Sequence, residues 1–582
     1  MPAETPQARY EALKTWARRF AEARGAGVTG LSIARAFCTA VLARYWNIVR
    51  RDQSCDWEVR PHGLSLPGLP TEARDVACAI GELIAESPLE NAGYLVGSIY
   101  TAMIPARMRG DMGAYYTPPA LAQRLLDLAT AAGADFARCR ALDPACGGGA
   151  FLAPVALRML SVSPPRPAAS TVQDIATRLR GVELDPFAAW ITQVLLEAAL
   201  LPLCIAARTR FPAVVTVGDA LAWEGPQKFD LVVGNPPYGR VRLDEATRNR
   251  YARSLYGHAN LYGLFTDLAL RRVTPGGVVA YLTPTSFLGG QYFKALRKIL
   301  AEHATPLAFD FVTDREGVFD DVLQEVVLVA YQAARLEHRA KVSLTTPAGQ
   351  DGSSSEALGR CAIPRDGSPW IIPRQRRDTD FLEHVAHMPS RLNDWGYGVS
   401  TGPLVWNRHK PQLRLRRSGT ELPVIWAESV TGAGFRFSAD RRNHAPFISL
   451  ADQPHLVAKH SCVLLQRTTA KEQDRRLIGA VLPQEFLDAY GGAVIENHLN
   501  MIIASEVPKV SPGTVAKILN SRPADRVFRC INGSVAVSAY ELEALPLPTV
   551  DQALQVERML ERNAAPADIE AMIAQFYGGS VP

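Results

Sequence analysis

Leu142-Asp143-Pro144-Ala145-Cys146-Gly147-Gly148-Gly149-Ala150-Phe151 reads as a short apolar strand ending in an acid, then a glycine loop, then the start of a helix. Glycines let backbone come close to a ligand and take up positive φ. The new helix aims its free N–H groups at whatever sits there. The spacing departs from the G-x-G-x-x-G of dinucleotide sites, so the loop does not suit a pyrophosphate. Asp143 suits a cationic amine better. Taken by itself, a tight strand-to-helix turn explains the loop equally well.

Outward from this stretch, between about 106 and 335, short apolar strands alternate with helical segments. The strands are Ala141–Asp143, Gly181–Glu183, Val214–Val217, Leu231–Val233, Val278–Leu282 and Val326–Ala330. Such alternation predicts an open, mostly parallel α/β sheet, with ligands beyond the carboxyl ends of the strands. Acids stand at two more of those ends. Glu183 in Gly181-Val182-Glu183-Leu184-Asp185-Pro186 can accept from both hydroxyls of a ribose, and Asp219 in Val217-Gly218-Asp219-Ala220 from an amino group. Each alone also reads as a helix cap or turn acid; three after successive strands beside a glycine loop point to a ligand.

Phe229-Asp230-Leu231-Val232-Val233-Gly234-Asn235-Pro236-Pro237-Tyr238 carries the chemistry. Two prolines after a strand fix the chain and remove two N–H donors, leaving carbonyl acceptors. Asn235 adds a side-chain oxygen and Tyr238 a flat face. Together they read as the wall of a pocket for a planar ring bearing an exocyclic NH2.

In order and content these motifs resemble the S-adenosylmethionine-dependent DNA adenine-N6 methyltransferases of the gamma arrangement, in which the donor motif precedes (D/N)PP(Y/F) and a target-recognition domain comes last. Gly113-Ala114-Tyr115-Tyr116-Thr117-Pro118-Pro119, followed by a helix over Ala120–Leu128, resembles the first cofactor motif, although Thr117 as N-cap with a following proline also makes sense without a ligand. Gly277 to Phe287 resembles the next strand, and Gly317-Val318-Phe319 the segment whose aromatic packs on an extruded base; a core phenylalanine is the other reading of Phe319. The resemblance implies S-adenosylmethionine held by Thr117, Asp143, Ala145, Gly147, Gly149, Glu183, Asp219, Ala220 and Asn235. It implies a target adenine gripped by Asn235 and Pro236 between Tyr238 and Phe319. Where the family often has an aromatic after the third acid, this chain has Ala220. No metal is expected.

The implied fold is a Rossmann-like class I methyltransferase domain with a mixed seven-stranded sheet, a helical extension before it and an α+β recognition domain after it. The expected division is 1–105 helical, 106–345 catalytic, 346–390 a linker or exposed excursion, and 391–582 recognition. In the first region Tyr10, Leu13, Trp16 and Phe20 recur at helical spacing, and no chemistry is read there. Asp52 to Arg60 has acids spaced somewhat as in a nuclease but lacks the catalytic lysine. The segment 346–368 is rich in Gly, Ser and Pro. Residues 401–480 hold 13 Lys+Arg against 6 Asp+Glu, a local +7 that exceeds the whole chain's +5. Either a phosphate-facing surface or a solvated face explains that excess. Arg408, Lys410, Arg414, Arg416 and Arg417 are the candidate DNA contacts. Glu496-Asn497-His498-Leu499-Asn500, Asn532-Gly533-Ser534 and Tyr540-Glu541-Leu542 resemble recurring pieces of recognition domains.

The 582 residues, 47% apolar and 21% charged, have ample length for buried cores and exclude a wholly disordered chain. Nine scattered cysteines without a CxxC pair argue against a disulfide scaffold or structural zinc and for a reducing compartment. No apolar run reaches the roughly 18 residues of a membrane span; Leu195 to Ala207 is broken by Glu197 and Pro202. A cytoplasmic protein, monomeric or weakly dimeric, is expected. Its partners would be double-stranded DNA and a cognate restriction endonuclease. RNA adenine or protein glutamine methylation, a DNA-binding subunit without catalysis, and a nucleotide-dependent oxidoreductase are the alternatives.

Overall fold

The computed structural model describes residues 5–25, 27–105, 108, 117–225, 227–313, 325–335, 339–348, 352–450, 453–469, 473–531 and 536–579. It divides into two units, Met1–Pro284 with Lys298–Ala357, and Thr285–Arg297 with Leu358–Pro582.

The first unit is built on strands β1 (Ala141–Asp143), β2 (Leu179–Glu183), β3 (Val215–Val217), β4 (Phe229–Gly234), β7 (Val273–Pro284), β8 (Pro306–Val312), β9 (Val326–Gln332), β10 (Arg339–Ala348) and β11 (Gly352–Ala362), while β5 (Arg240–Val241) and β6 (Ala259–Asn260) pair apart as a small hairpin. The sheet order is β11-β10-β8-β9-β7-β4-β1-β2-β3. β9 runs antiparallel to both β7 and β8, whereas β1, β2, β3, β4 and β7 are parallel. The nine strands are thus the seven expected plus β10 and β11 at one edge. These two occupy part of 346–390, where a linker was expected. Residues of β11 alternate only weakly and are mostly exposed, which is why an edge strand there reads as an excursion. A helix, Asp378–Val385, also falls in that segment.

β1 lies between β2 and β4, so connections leave it in one direction and β4 in the other. This is the switch point where open α/β sheets hold ligands. The registers align Asp143 with Gly181 and Glu183 with Val217, which brings the strand-end acids to one edge.

The N-terminal helices, Pro6–Glu22, Val28–Asp52, Thr71–Ala85 and Ala92–Met103, do not form a separate core. Tyr10, Phe20, Phe37, Trp46, Ile80 and Ile99 bury into one cluster with Phe187, Trp190, Ile191 and Val194 of helix Pro186–Ala199. The apolar run ending at Ala207 is two helices, Pro186–Ala199 and Leu201–Ala207, bent by 69°. Glu197 in it is fully buried and paired with Arg60 and Arg210, each at 2.7 Å. Among the described residues no single helix is long and apolar enough to cross a membrane.

The second unit holds an antiparallel sheet of Tyr397–Thr401, Leu499–Ala504, Cys462–Gln466 and Gly479–Leu482, and a five-stranded sheet centred on Leu422–Ile425. Helices Pro512–Leu519, Arg522–Ile531, Val550–Glu561 and Pro566–Phe576 share an apolar core with the first sheet. Within this unit the fully buried Arg297 donates to the carbonyls of Phe287, Gly290, Gly367 and Ser368 and to the Tyr540 hydroxyl. Two of the recognition-like pieces act as anchors. Asn500 Nδ2 donates to Val537 O at 2.8 Å, and Ser538 with Glu541 forms a reciprocal helix cap. Asn532-Gly533-Ser534 lies outside the described residues.

Candidate functional site

At the carboxyl edge of β1 to β4 lies a cavity of about 380 Å³. Ala145, Gly147, Glu183, Asp219, Ala220, Asn235 and Pro237 all line it. That size suits a ligand of drug or cofactor dimensions.

The glycine loop reaches the cavity through left-handed backbone: Gly147 has φ 51° and Gly149 φ 84°. A side chain on Gly149 would also meet Thr192 at 3.3 Å. The loop is tied on both sides of Gly147, because Gly147 N donates to Glu183 Oε2 at 2.8 Å and Thr192 Oγ1 donates to Gly147 O at 2.5 Å. Glu183 Oε1 accepts from Asp185 N at 3.0 Å. Each carboxylate oxygen keeps a second acceptor site. Burial raises the Glu183 pKa, while the N–H groups of Asp185 and Gly147 draw it back down. Asp219 Oδ1 accepts from Leu221 N at 2.9 Å, and the acid is exposed at the rim.

Asp143 sits deeper than its sequence position suggests. It is 1% exposed and does not line the cavity. Its Oδ1 accepts from Ala145 N at 3.1 Å, and its Oδ2 has no partner. A Cβ on Gly234 would stand 2.8 Å from Oδ1, so only glycine lets β4 pass this close. Ala220 is buried at the wall, and apolar contact comes from Leu184, Ala188, Leu221, Val241, Leu243 and Phe265 in place of the missing aromatic.

The Asn235 wall differs from expectation in one respect. Tyr238 does not present its ring to the cavity. Its hydroxyl donates to Asn235 Oδ1 at 2.6 Å and to Leu282 O at 3.3 Å, and its ring meets Tyr262 edge-on at 6.1 Å. Burial, then Tyr262, pushes the phenol pKa well up, so it stays a donor. Pro236 is buried. Thr117 is buried but is not the N-cap of the helix after it. Pro118 takes that place and Pro119 is the first helical residue, so helix Pro119–Ala131 starts without a side-chain cap. Phe319 and Gly113–Tyr116 lie outside the described residues. The acids of Asp52–Arg60 join no cluster, and among the described residues no group of three His, Cys, Asp or Glu could hold a metal.

Residues 205–319 match the Eco57I restriction-modification methylase family. The chain carries a restriction-modification methylase domain. It is 25% identical over 357 residues to Type II methyltransferase M.BsuBI of Bacillus subtilis, covering 59% of this chain and 70% of that one. It is 26% identical over 340 residues to Type II methyltransferase M.PstI of Providencia stuartii, covering 56% and 66%. The solved Type IIL restriction-modification enzyme MmeI, in complex with DNA, matches with a TM-score of 0.51 at 12% identity over 100% of this chain and 97% of that chain, a likeness of fold.

S-adenosylmethionine is the methyl donor that this fold and family imply. The methylase domain fits it. It offers a glycine cradle, a half-buried carboxylate with acceptor capacity left, and an unpartnered buried oxygen on Asp143 beneath the cradle.

That buried acid has a measurable signature. Burial, with Glu183 adding to it and the Ala145 N–H opposing, raises the Asp143 pKa to about 8. The unfolded carboxyl loses its proton near pH ~4. The native state therefore holds the extra proton between these values, and the contribution of Asp143 to stability is full below about pH 4 and is lost as pH rises to about 8. Asp143→Asn keeps the acceptor for Ala145 N without a charge. It is expected to flatten this decline and to melt higher than wild type at pH 8, while binding S-adenosylmethionine more weakly. Thermal melts across pH 4 to 8 check the first point and calorimetry the second.

The sequence reading missed Tyr100, Asp185, Val241, Arg242, Leu243, Asp244 and Thr247, all of which line the cavity. Only Asp185 carries a local signal, as an acid directly before a proline at a helix start. Arg408, Lys410, Arg414, Arg416 and Arg417 are all exposed in the second unit. Lys410 stands over Trp406 at 5.1 Å and Arg417 over Tyr490 at 4.9 Å.

Proposed function

We propose that the chain transfers a methyl group from S-adenosylmethionine to N6 of an adenine turned out of duplex DNA, as the protective methylase of a type II restriction-modification system with a cognate endonuclease. The observation that carries the reading is one cavity lined by Glu183, Asp219, Asn235 and Pro237 together. Glu183 holds the donor's ribose, Asp219 its adenine amino group, and Asp143 with Thr117, Ala145, Gly147 and Gly149 its methionine part. Ala220 closes the wall against the adenine.

When bound, the donor supplies an activated methyl on a sulfonium. The protein's share is alignment and charge stabilisation. The adenine amine is a weak nucleophile because its lone pair is delocalised into the ring. Asn235 Oδ1 and the Pro236 carbonyl accept its two hydrogens and favour a more tetrahedral nitrogen. The same oxygen dipoles face the positive charge that develops there. Tyr238 donates to Asn235 Oδ1 and leaves that oxygen a second lone pair for the amine, while its ring has to turn toward the cavity to reach the base. Its ring then stacks on the base, with Phe319 proposed for the other face. Unstacking the base from duplex costs a few kcal/mol, and aromatic stacking returns about 1–3 kcal/mol.

The exposed basic segment of the second unit contacts phosphate. Replacing Arg414 and Arg416 together with alanine is expected to weaken duplex binding on all sequences alike and to make the salt slope of log K shallower by about 2. Anisotropy titrations over a KCl series measure this. The reading itself is tested by incubating the chain with methyl-labelled S-adenosylmethionine and, separately, duplex DNA, RNA and total protein. Label in DNA alone is expected; label in RNA or protein alone overturns it.

A further inference from the structure

The N-terminal helices carry no chemistry that their sequence announces, yet helix Ala92–Met103 forms part of the methylase cavity. Gly93 and Tyr100 are seven residues apart, two helical turns, and therefore share a face. At one end of that face a Cβ on Gly93 would stand 3.3 Å from Gly148 O and 3.6 Å from Ala150 N, so the helix backbone rests on the glycine loop itself. At the other end Tyr100 lines the cavity, and its hydroxyl donates to Asp185 Oδ2 at 2.8 Å. Arg35, from helix Val28–Asp52, donates to Asp185 Oδ1 at 2.7 Å and to the Tyr100 hydroxyl oxygen at 3.3 Å.

Asp185 passes these contacts on. Its Oδ1 also accepts from Phe187 N at 3.0 Å, capping helix Pro186–Ala199, and its own N–H donates to Glu183 Oε1 at 3.0 Å. Thr192, two turns into that helix, holds Gly147 O. The carboxylate is only 8% exposed, so it needs the guanidinium to be tolerated there.

We propose that Arg35 and Tyr100 are positioning residues of the methyl-donor site, fixing through Asp185 both the ribose carboxylate Glu183 and the glycine loop. The N-terminal helices are then a wall of that site. This rests on the S-adenosylmethionine reading above. Tyr100→Phe tests it most cleanly, because the ring stays packed on Phe187 at 5.2 Å and only the hydroxyl is lost. Tyr10→Phe is the control. Its hydroxyl bonds Leu95 O at 2.6 Å and Ser98 Oγ at 2.5 Å on the same helix, away from the cavity.

The experiment is calorimetry of the full chain with S-adenosylmethionine, paired with hydrogen exchange of the peptide 145–151 without ligand. Tyr100→Phe and Arg35→Ala are expected to weaken binding about tenfold and to speed exchange in that peptide. Arg35→Lys is expected to lose less. Tyr10→Phe is expected to stay within about twofold of wild type in affinity, with loop exchange unchanged. Unchanged affinity and exchange in Tyr100→Phe would overturn the inference, as would an equal loss in Tyr10→Phe, which would mark general loosening of the helices. A wild-type chain that takes no S-adenosylmethionine would instead overturn the donor reading, and this inference with it.

Discussion

Asn235→Ala is expected to lower methyl transfer by about 100-fold or more while leaving affinity for S-adenosylmethionine within a few-fold of wild type. The separation follows from the geometry. Asn235 ends β4, on the far side of β1 from Glu183 and the β2 end. The ties of the glycine loop to Glu183 and Thr192 do not involve Asn235. On the proposed reading, the substitution removes an acceptor needed as the amine becomes tetrahedral, an interaction made mainly in the transition state. Single-turnover rates with saturating cofactor, set beside calorimetry, measure both halves. Turnover near wild type would remove Asn235 from the chemistry. A matching collapse of cofactor affinity would make it a binding residue instead.

Glu183→Ala is expected to give the converse, a loss of S-adenosylmethionine affinity on the order of 100-fold, since two hydrogen bonds to a charged acceptor are worth about 1.5–3 kcal/mol each. A second effect adds to this, because the Glu183 carboxylate also holds Gly147 N and Asp185 N. Glu183→Gln separates the two: its single carbonyl oxygen can keep only one of the Gly147 and Asp185 N–H bonds, yet still has a lone pair for the ligand. An intermediate affinity is expected. Equal affinities for wild type and both variants would refute the ribose assignment.

Much of the first unit can be read from its residues because strand ends and acids coincide. β1, β2 and β4 are apolar runs that stop at Asp143, Glu183 and Gly234, and burial on both faces leaves little else for such runs to be. β8 escaped because Asp310 interrupts Pro306–Val312. Only the fold reveals that this buried carboxylate is met by Arg124 at 2.6 Å and by Thr345 at 2.7 Å. β11 escaped because an edge strand with one wet face is composed like a loop.

The candidate site divides in the same way. Ala145, Gly147, Glu183, Asp219 and Asn235 could be gathered because each follows a strand in the same sheet. Arg35 and Tyr100 could not, because they reach Asp185 across 150 and 85 residues of chain and no local pattern links them. Depth was also invisible. Nothing in Leu142-Asp143-Pro144 distinguishes an acid at the cavity wall from one buried under Gly234. Nor does the sequence of Asn235-Pro236-Pro237-Tyr238 reveal that the phenol turns inward onto the asparagine.

Nucleoside mass spectrometry of DNA from a host expressing the full chain bears most directly on the central claim. Wild-type chain should yield N6-methyldeoxyadenosine above the level of an Asn235→Ala control. Methylation found only on cytosine, or no modified base beyond that control, would contradict the account.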